Sequence, residues 1–307
     1  MKRAETIAVI EAIAAITIWA VSFVFIKLAL REISAVTLIA LRFALGAALV
    51  ALAGWRNGDF RRVTRADWPR LALLGFVGIT VQQLLQISGQ ATAQASVAAF
   101  LASTAPAFTV ALAAMVLREK LGTGQIVGVT LAAVGAVVVS TGGDVAALAR
   151  GQFGERGNVL VLLSAIVWAA FTILNKRVVE GRPSTVVTAG MFFFGWLFVL
   201  PVFIAQQGWR EIGHLSPTGW LAVLYVSVLA SAVAYLVNSH SLKHIPASRV
   251  AVIQNLESMI ATAAAVLFLG ERVTGAMLLG GAAIIAGVYL AERGAPEVEA
   301  VAEAEVH

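Results

Sequence analysis

The chain has 307 residues, of which 60% are hydrophobic and 13% charged, with a mean hydropathy of +0.89. Soluble domains run at about 45–50% apolar and about 25% charged. This composition therefore excludes an ordinary soluble enzyme, a disordered protein and a secreted scaffold, and points to a polytopic membrane protein. The net charge of +5 sits in short loops between apolar runs. That placement fits membrane orientation, and no nucleic-acid partner is expected. The chain has no cysteine, so disulfides and thiolate metal sites are excluded.

Charge-free runs mark the spans in chain order, at about 20 residues per crossing. Ten helices are predicted, at roughly 5–30, 34–54, 70–90, 95–117, 123–142, 157–177, 184–206, 218–240, 248–270 and 273–292. The uninterrupted 47-residue run 71–117 holds two of them, linked at Gln90 to Ser96. Three spans carry a charge away from their ends: Glu11 in the first, Arg42 in the second and Glu257 in the ninth. Long stretches of Ala, Val, Leu and Ile without alternation exclude a β-barrel, whose strands alternate over about 10 residues. The fold class is all-α, a polytopic membrane protein of ten transmembrane helices.

Orientation follows from Lys and Arg. With a cytoplasmic N-terminus, 15 of them fall inside and six outside, so both termini are expected in the cytoplasm. The segment 54–70 supplies five of the fifteen. Met1 to Glu5 leads straight into an apolar helix without a small-residue cleavage site, so no cleaved signal is expected. Residues 294–307 carry Glu297, Glu299, Glu303 and Glu305 and are expected to form an acidic disordered cytoplasmic tail.

The two halves resemble each other. At an offset of 149, Trp19 falls on Trp168, Ala20 on Ala169, Lys27 on Lys176 and Phe43 on Phe192. At an offset of 152, Ser96 falls on Ser248, Glu119 on Glu271, Gly128 on Gly280 and Gly135 on Gly287. The Trp, Glu and Gly matches carry the signal. Residues 1–150 are expected to be a first five-helix repeat and 151–293 a second. Five is odd, so the second copy enters the membrane from the opposite side. Inverted repeats are an architecture of many secondary transporters, with substrate held near the midplane.

On these residues the chain resembles the drug/metabolite transporter superfamily, in the ten-helix branch with two copies of the EamA domain. The motifs are Trp19-Ala20, Arg42-Phe43, Ala95-Ser96 with Pro106, and Arg118-Glu119 matched by Gly270-Glu271. The first copy has Arg118 where the family often has Gly, and the second has Ser258 opposite Pro106. The resemblance covers nearly all of 5–292. It implies a secondary exporter of small metabolites in the bacterial inner (plasma) membrane. Exporters of amino acids, aromatic ones among them, form a large branch.

No GxxxxGK[ST] loop is present to hold ATP, and no GxSxG nucleophile elbow. His240 and His244 lie one helical turn apart, but no third ligand is near and Lys243 would repel a cation. No metal and no cofactor are expected.

Polar side chains in lipid are costly and gather on inward faces, which helical-wheel arithmetic at about 100° per residue locates. In helix three, Thr80, Gln83, Gln86, Gln90 and Gln94 share an arc; in helix six, Ser164, Trp168, Phe171 and Asn175 do. In helix eight the set is Ser227, Ser231, Tyr235 and Asn238. Helix nine aligns Gln254, Ser258 and Thr262 with Glu257 at the edge, and helix one aligns Ser22 with Glu11, Trp19 at the edge. The candidate substrate-binding residues are Trp19, Ser22, Arg42, Thr80, Gln83, Gln86, Ser164, Trp168, Phe171, Asn175, Ser231, Tyr235, Asn238, Gln254 and Ser258. Glu11 and Glu257 are candidates for ion coupling. The alternative for every stripe is helix–helix packing, where such hydrogen bonds average about 0.6 kcal/mol. For Arg42 two readings stand: a forked pair with a substrate carboxylate, or a structural pair with Glu257 or backbone carbonyls. Helices five and ten, with Gly124, Gly128, Gly280 and Gly287, read as scaffold and as a dimer contact, and the protein is expected to be a monomer or weak dimer.

A membrane transporter is the leading function. An intramembrane enzyme acting on a lipid would need paired carboxylates, a His base or a Ser–Lys set at one depth, and Glu11, Arg42 and Glu257 stand alone on separate helices. For cargo, aromatic walls and amides suit a zwitterion with an apolar side chain. A sugar nucleotide would require several Lys or Arg. The expectation is export of neutral amino acids, aromatic ones included, with other small metabolites or drugs as the alternative.

Overall fold

The computed structural model describes residues 3–117, 121–144, 146, 154–179, 182–241 and 253–293. Arg118, Glu119, Lys243, His244, Ser248 and the tail 294–307 lie outside the described residues. The chain is all-helical over the described residues, with nine helices long and apolar enough to cross a membrane and one shorter apolar helix. In chain order these are α1 (Arg3–Ala29), α2 (Ala35–Arg56), α3 (Asp67–Thr92), α4 (Ala95–Ala102 and Ala105–Leu117), α5 (Thr123–Ser140), α6 (Arg156–Val179) and α7 (Ser184–Ala205). Then follow α8 (Pro217–Leu224, Tyr225–Val233 and Ala234–Ser241), α9 (Leu256–Leu269) and α10 (Gly275–Arg293). The outward faces are apolar, with Met115 77%, Leu267 78% and Leu279 75% exposed, while Arg42, Gln83 and Gln90 are buried. That is the inverse of a soluble protein and matches a lipid surround.

Three helices depart from uniform α winding. In α3 the stretch Phe76–Val81 is π-helical, and in α8 the stretch Tyr225–Val233 is. α4 breaks at Ser103–Thr104, just before Pro106, whose missing N–H leaves the Ala102 carbonyl without its usual donor. The link between α7 and α8 carries a short helical turn, Trp209–Ile212.

The second repeat packs antiparallel to the first. α5 crosses α10 through four glycines. A Cβ at Gly128 would lie 2.6 Å from the Gly287 carbonyl oxygen, and one at Gly135 would lie 2.5 Å from that of Gly280. Small residues at such crossings let membrane helices approach backbone to backbone. These faces meet inside the chain; Gly124 alone of the expected set has open space around it. α2 runs against α7, Gly46 facing Phe192 and Gly54 facing Thr185. α1 runs against α8, where Trp19 Nε1 donates to the Ala230 carbonyl (2.8 Å) and Phe25 stacks on Tyr225 (4.0 Å).

Polar ties close one face of the molecule. Lys27 Nζ at the end of α1 donates to the carbonyls of Gln90 (2.8 Å), Ala91 (3.2 Å) and Ala93 (2.6 Å) at the end of α3. A helix C-terminus presents unpaired carbonyls and negative charge, which an ammonium satisfies. Gly270, with φ +67°, ends α9 in the left-handed conformation and turns the chain. The next residue, Glu271, then accepts from the N–H groups of Ala95 (2.6 Å) and Ser96 (3.0 Å) and from the Ser96 hydroxyl, capping α4. On the same face Glu32 accepts from Ser216 N (2.7 Å) and Oγ (2.6 Å), which holds its carboxyl below the usual range. Glu211 accepts from Ser34 N (2.7 Å) at the start of α2.

Candidate functional site

On the opposite face the two repeats part around a cavity of about 810 Å³, lined from α1, α2, α3 and α4 of the first and α6, α7, α8 and α9 of the second. α5 and α10 contribute nothing to it. Its mouth is set by Asn57, Asp59 and Arg182 to Thr185, and its inner end by Ile26, Gln86 and Ser164. Beyond that end lie the Lys27 and Glu271 ties.

Of the residues that the sequence nominates, Trp19, Ser22, Arg42, Gln83, Gln86, Ser164, Trp168, Phe171, Asn175, Tyr235, Asn238, Gln254 and Glu257 line this cavity. Thr80, Ser231 and Ser258 do not. Thr80 lies in the α3 π turn, where its hydroxyl reaches the carbonyls of Gly75 (3.4 Å) and, on α7, Gly195 (3.2 Å). Ser231 lies in the α8 π turn, bonded to the Val226 carbonyl (2.9 Å). The wider π turn inserts a residue into the α register. A uniform helical wheel therefore misplaces side chains within it. Ser258 is fully buried and its hydroxyl has no partner among the described residues. Glu11 lies away from the cavity, its carboxylate 2.8 Å from His240 Nδ1 on α8.

Arg42 is 6% exposed and is held from both repeats. Its Nε donates to Ser231 Oγ (2.7 Å) and its Nη1 to Gln83 Oε1 (3.2 Å), and its Cζ lies 5.1 Å from the Phe43 ring centroid. The Arg42–Glu257 ion pair considered from sequence is not formed; the guanidinium meets neutral oxygens instead. Ser231 is thus a support for Arg42 from behind the wall.

The aromatic residues form two groups. Trp19 meets Tyr235 edge-on at 5.3 Å, and Tyr235 meets Phe192 at 5.3 Å. Separately, within α6, Trp168 packs on Phe171 at 5.0 Å. The Trp19 N–H is taken by the Ala230 carbonyl, whereas Trp168 Nε1 has no partner among the described residues. Such edge-on pairs add about 0.5–1.5 kcal/mol beyond area burial and keep the walls in place.

Three parts of the site escape helical-wheel reasoning. Asn57, Asp59 and Arg182 at the mouth come from loops, where periodicity is silent. The Asp67–Arg182 pair (2.6 Å) and the Thr185–Asp59 bond (2.6 Å) tie that mouth together across the repeats. The broken α4 brings Ala102, Ser103, Ala105 and Pro106 to the wall, for which Pro106 was the available signal. Among the described residues no group of His, Asp and Glu could hold a metal ion.

Comparison with known proteins gives the family. The chain is 30% identical over 274 residues to an uncharacterized transporter of Archaeoglobus fulgidus, covering 89% of this chain and 93% of that one. It is 27% identical over 291 residues to a probable amino-acid metabolite efflux pump of Salmonella typhimurium, covering 91% and 92%. It is also 27% identical over 275 residues to a probable terminal-alkyne amino-acid exporter of Streptantibioticus cattleyicolor, covering 90% of each. A crystal structure 20% identical superposes with a TM-score of 0.62 over 92% of this chain and 96% of its own, a likeness of fold. The EamA-like transporter family matches at residues 6–141 and again at 155–292. With both halves matched, and a cavity between them, the chain belongs to the EamA-like transporter family and is a membrane transporter.

Proposed function

We propose that this transporter exports neutral amino acids, aromatic ones included, across the bacterial inner membrane by alternating access. The observation that carries this reading is the cavity between the repeats: about 810 Å³, walled by Trp19, Trp168, Phe171 and Tyr235 and by the amides of Gln83, Gln86, Asn175, Asn238 and Gln254. That volume falls within the roughly 300–1,000 Å³ of small-molecule sites. Aromatic faces take an apolar side chain, and amides both donate and accept. The names of the Salmonella and Streptantibioticus relatives support the same cargo. The repeats 1–150 and 151–293 act as the two moving bodies. The five basic residues of 54–70 support a cytoplasmic side for the mouth of the cavity and for both termini, and on that reading this conformation is the loading state of an exporter.

Purified protein in liposomes loaded with unlabelled phenylalanine, leucine or tryptophan should take up the labelled amino acid by counterflow, unaltered chemically. No movement of any amino acid would overturn the cargo assignment and leave the other small metabolites. Chemical alteration of the label would move the protein to the enzyme class.

A further inference from the structure

The cavity holds two charges of opposite sign for which the described residues supply no counter-ion. Arg42, from the first repeat, meets two neutral oxygens, and its Nη2 has no partner among the described residues. Glu257, from the second repeat, has no hydrogen-bond donor and no cation beside it among the described residues. The other charged groups on the wall are engaged: Arg182 by Asp67 and Asp59 by Thr185. Tyr235 lines the same cavity as both charges. A charge withdrawn from water is costly unless paired, and breaking such pairs is strongly destabilising. Here a cation and an anion share one cavity without touching, so the missing partner of each is not the other.

A ligand carrying both charges satisfies both. We infer that Arg42 and Glu257 form a two-point clamp for the main chain of a zwitterionic α-amino acid. The guanidinium takes the carboxylate through its free edge, and Glu257 takes the ammonium. The side chain then lies among Trp19, Trp168, Phe171 and Tyr235. This rests on the amino-acid reading above and adds which two charges recognition requires. Bonds between ionised partners are roughly twice as strong as neutral ones, and the planar fork of arginine fixes the carboxylate plane. The repeat counterparts of Arg42 and Glu257 are Met191 and Ala105, so the clamp exists in one direction only and orients the ligand. Amino acids whose amine is acylated, or whose carboxylate is an amide, are excluded.

The test is competition against counterflow of labelled phenylalanine, with phenylalanine, N-acetylphenylalanine and phenylalaninamide as competitors. In the wild-type protein phenylalanine should compete at least about tenfold better than either derivative. Glu257→Gln should weaken phenylalanine at least about tenfold and leave N-acetylphenylalanine unchanged; Glu257→Asp should restore part of the preference. Arg42→Lys keeps the charge without the fork and should weaken phenylalanine while leaving phenylalaninamide unchanged. The wild-type series needs no variant, so a misfolded substitution does not remove the test. Equal competition by all three compounds, or an undiminished preference in Glu257→Gln at normal protein level, overturns the clamp and leaves amino-acid export standing. Absence of phenylalanine counterflow in the wild-type protein removes the export reading and the clamp with it.

Discussion

A π turn begins at Phe76 in the first repeat and at Tyr225 in the second, 149 residues on, the same offset that pairs Trp19 with Trp168. In each turn a hydroxyl, Thr80 or Ser231, bonds the carbonyl five residues earlier. Each turn also meets the second helix of the other repeat: Thr80 reaches Gly195 on α7, and Ser231 receives Arg42 from α2. The glycines of α5 recur in α10. Polar and charged side chains at the cavity behave otherwise. Arg42 corresponds to Met191, Gln83 to Ala232, and Glu257 to Ala105. Backbone devices survive inversion because a bilayer core is the same solvent from either side. A bound molecule is not symmetric, and the groups facing it need not be.

That contrast can be broken or sharpened by experiment. The largest effect is expected where the repeats agree. Gly135→Leu would place a Cβ 2.5 Å from the Gly280 oxygen, and Gly287→Leu one 2.4 Å from the Ala132 nitrogen. Neither neighbour is a movable side chain, so the penalty should reach or exceed the roughly 1–3 kcal/mol of ordinary overpacking. Both variants should lose monodisperse protein in detergent chromatography to the same degree. Gly124→Leu, with open space around it, should chromatograph as wild type. Unequal losses between Gly135→Leu and Gly287→Leu would show that the scaffold is less symmetric than the crossing suggests.

The second test concerns the closed face. Lys27→Met leaves three carbonyls without their ammonium, and hydrogen bonds to charged groups are worth about 1.5–3 kcal/mol. The chain has no cysteine, so Ser22→Cys gives a clean probe in the cavity. A membrane-impermeant maleimide applied from the Lys27 face should label that cysteine at least about tenfold faster when Lys27→Met is added. Equal labelling would mean that the seal depends on packing and not on the ammonium.

The smallest effect separates two residues that the repeat makes equivalent. Trp19→Phe removes the bond to the Ala230 carbonyl and should lower thermal stability by about 0.5–1.5 kcal/mol. Trp168→Phe breaks no hydrogen bond among the described residues and should leave the melting temperature unchanged while weakening phenylalanine counterflow. Equal melting shifts would remove the distinction between a structural and a cavity-facing tryptophan.

Sequence periodicity reaches some of this and not the rest. The charge-free runs mark the helices because lipid admits few ionised groups, and the residue pairs at offsets of 149 and 152 reveal the repeat. Gln83, Gln86, Trp168 and Asn175 reach the cavity face because their parts of α3 and α6 wind regularly. Thr80 and Ser231 do not, because a π turn leaves no mark in the order of apolar residues. The Lys27 and Glu271 ties depend on which helix ends meet in space. Each residue lies near a span boundary, where a charge in lipid-flanking sequence ordinarily means solvation.

The glycine crossing carries one further consequence. Gly128 meets Gly287 and Gly135 meets Gly280, so each repeat offers the same patch and receives the same patch in return. Such a contact is isologous, the kind that joins two identical subunits about a two-fold axis. A lone five-helix chain bearing this pair of glycines, inserted in both orientations, would hold a complete copy of the crossing. Fusing two such chains into one adds nothing to the contact itself. What fusion adds is the freedom for one copy to acquire a side chain, such as Arg42, that the other lacks.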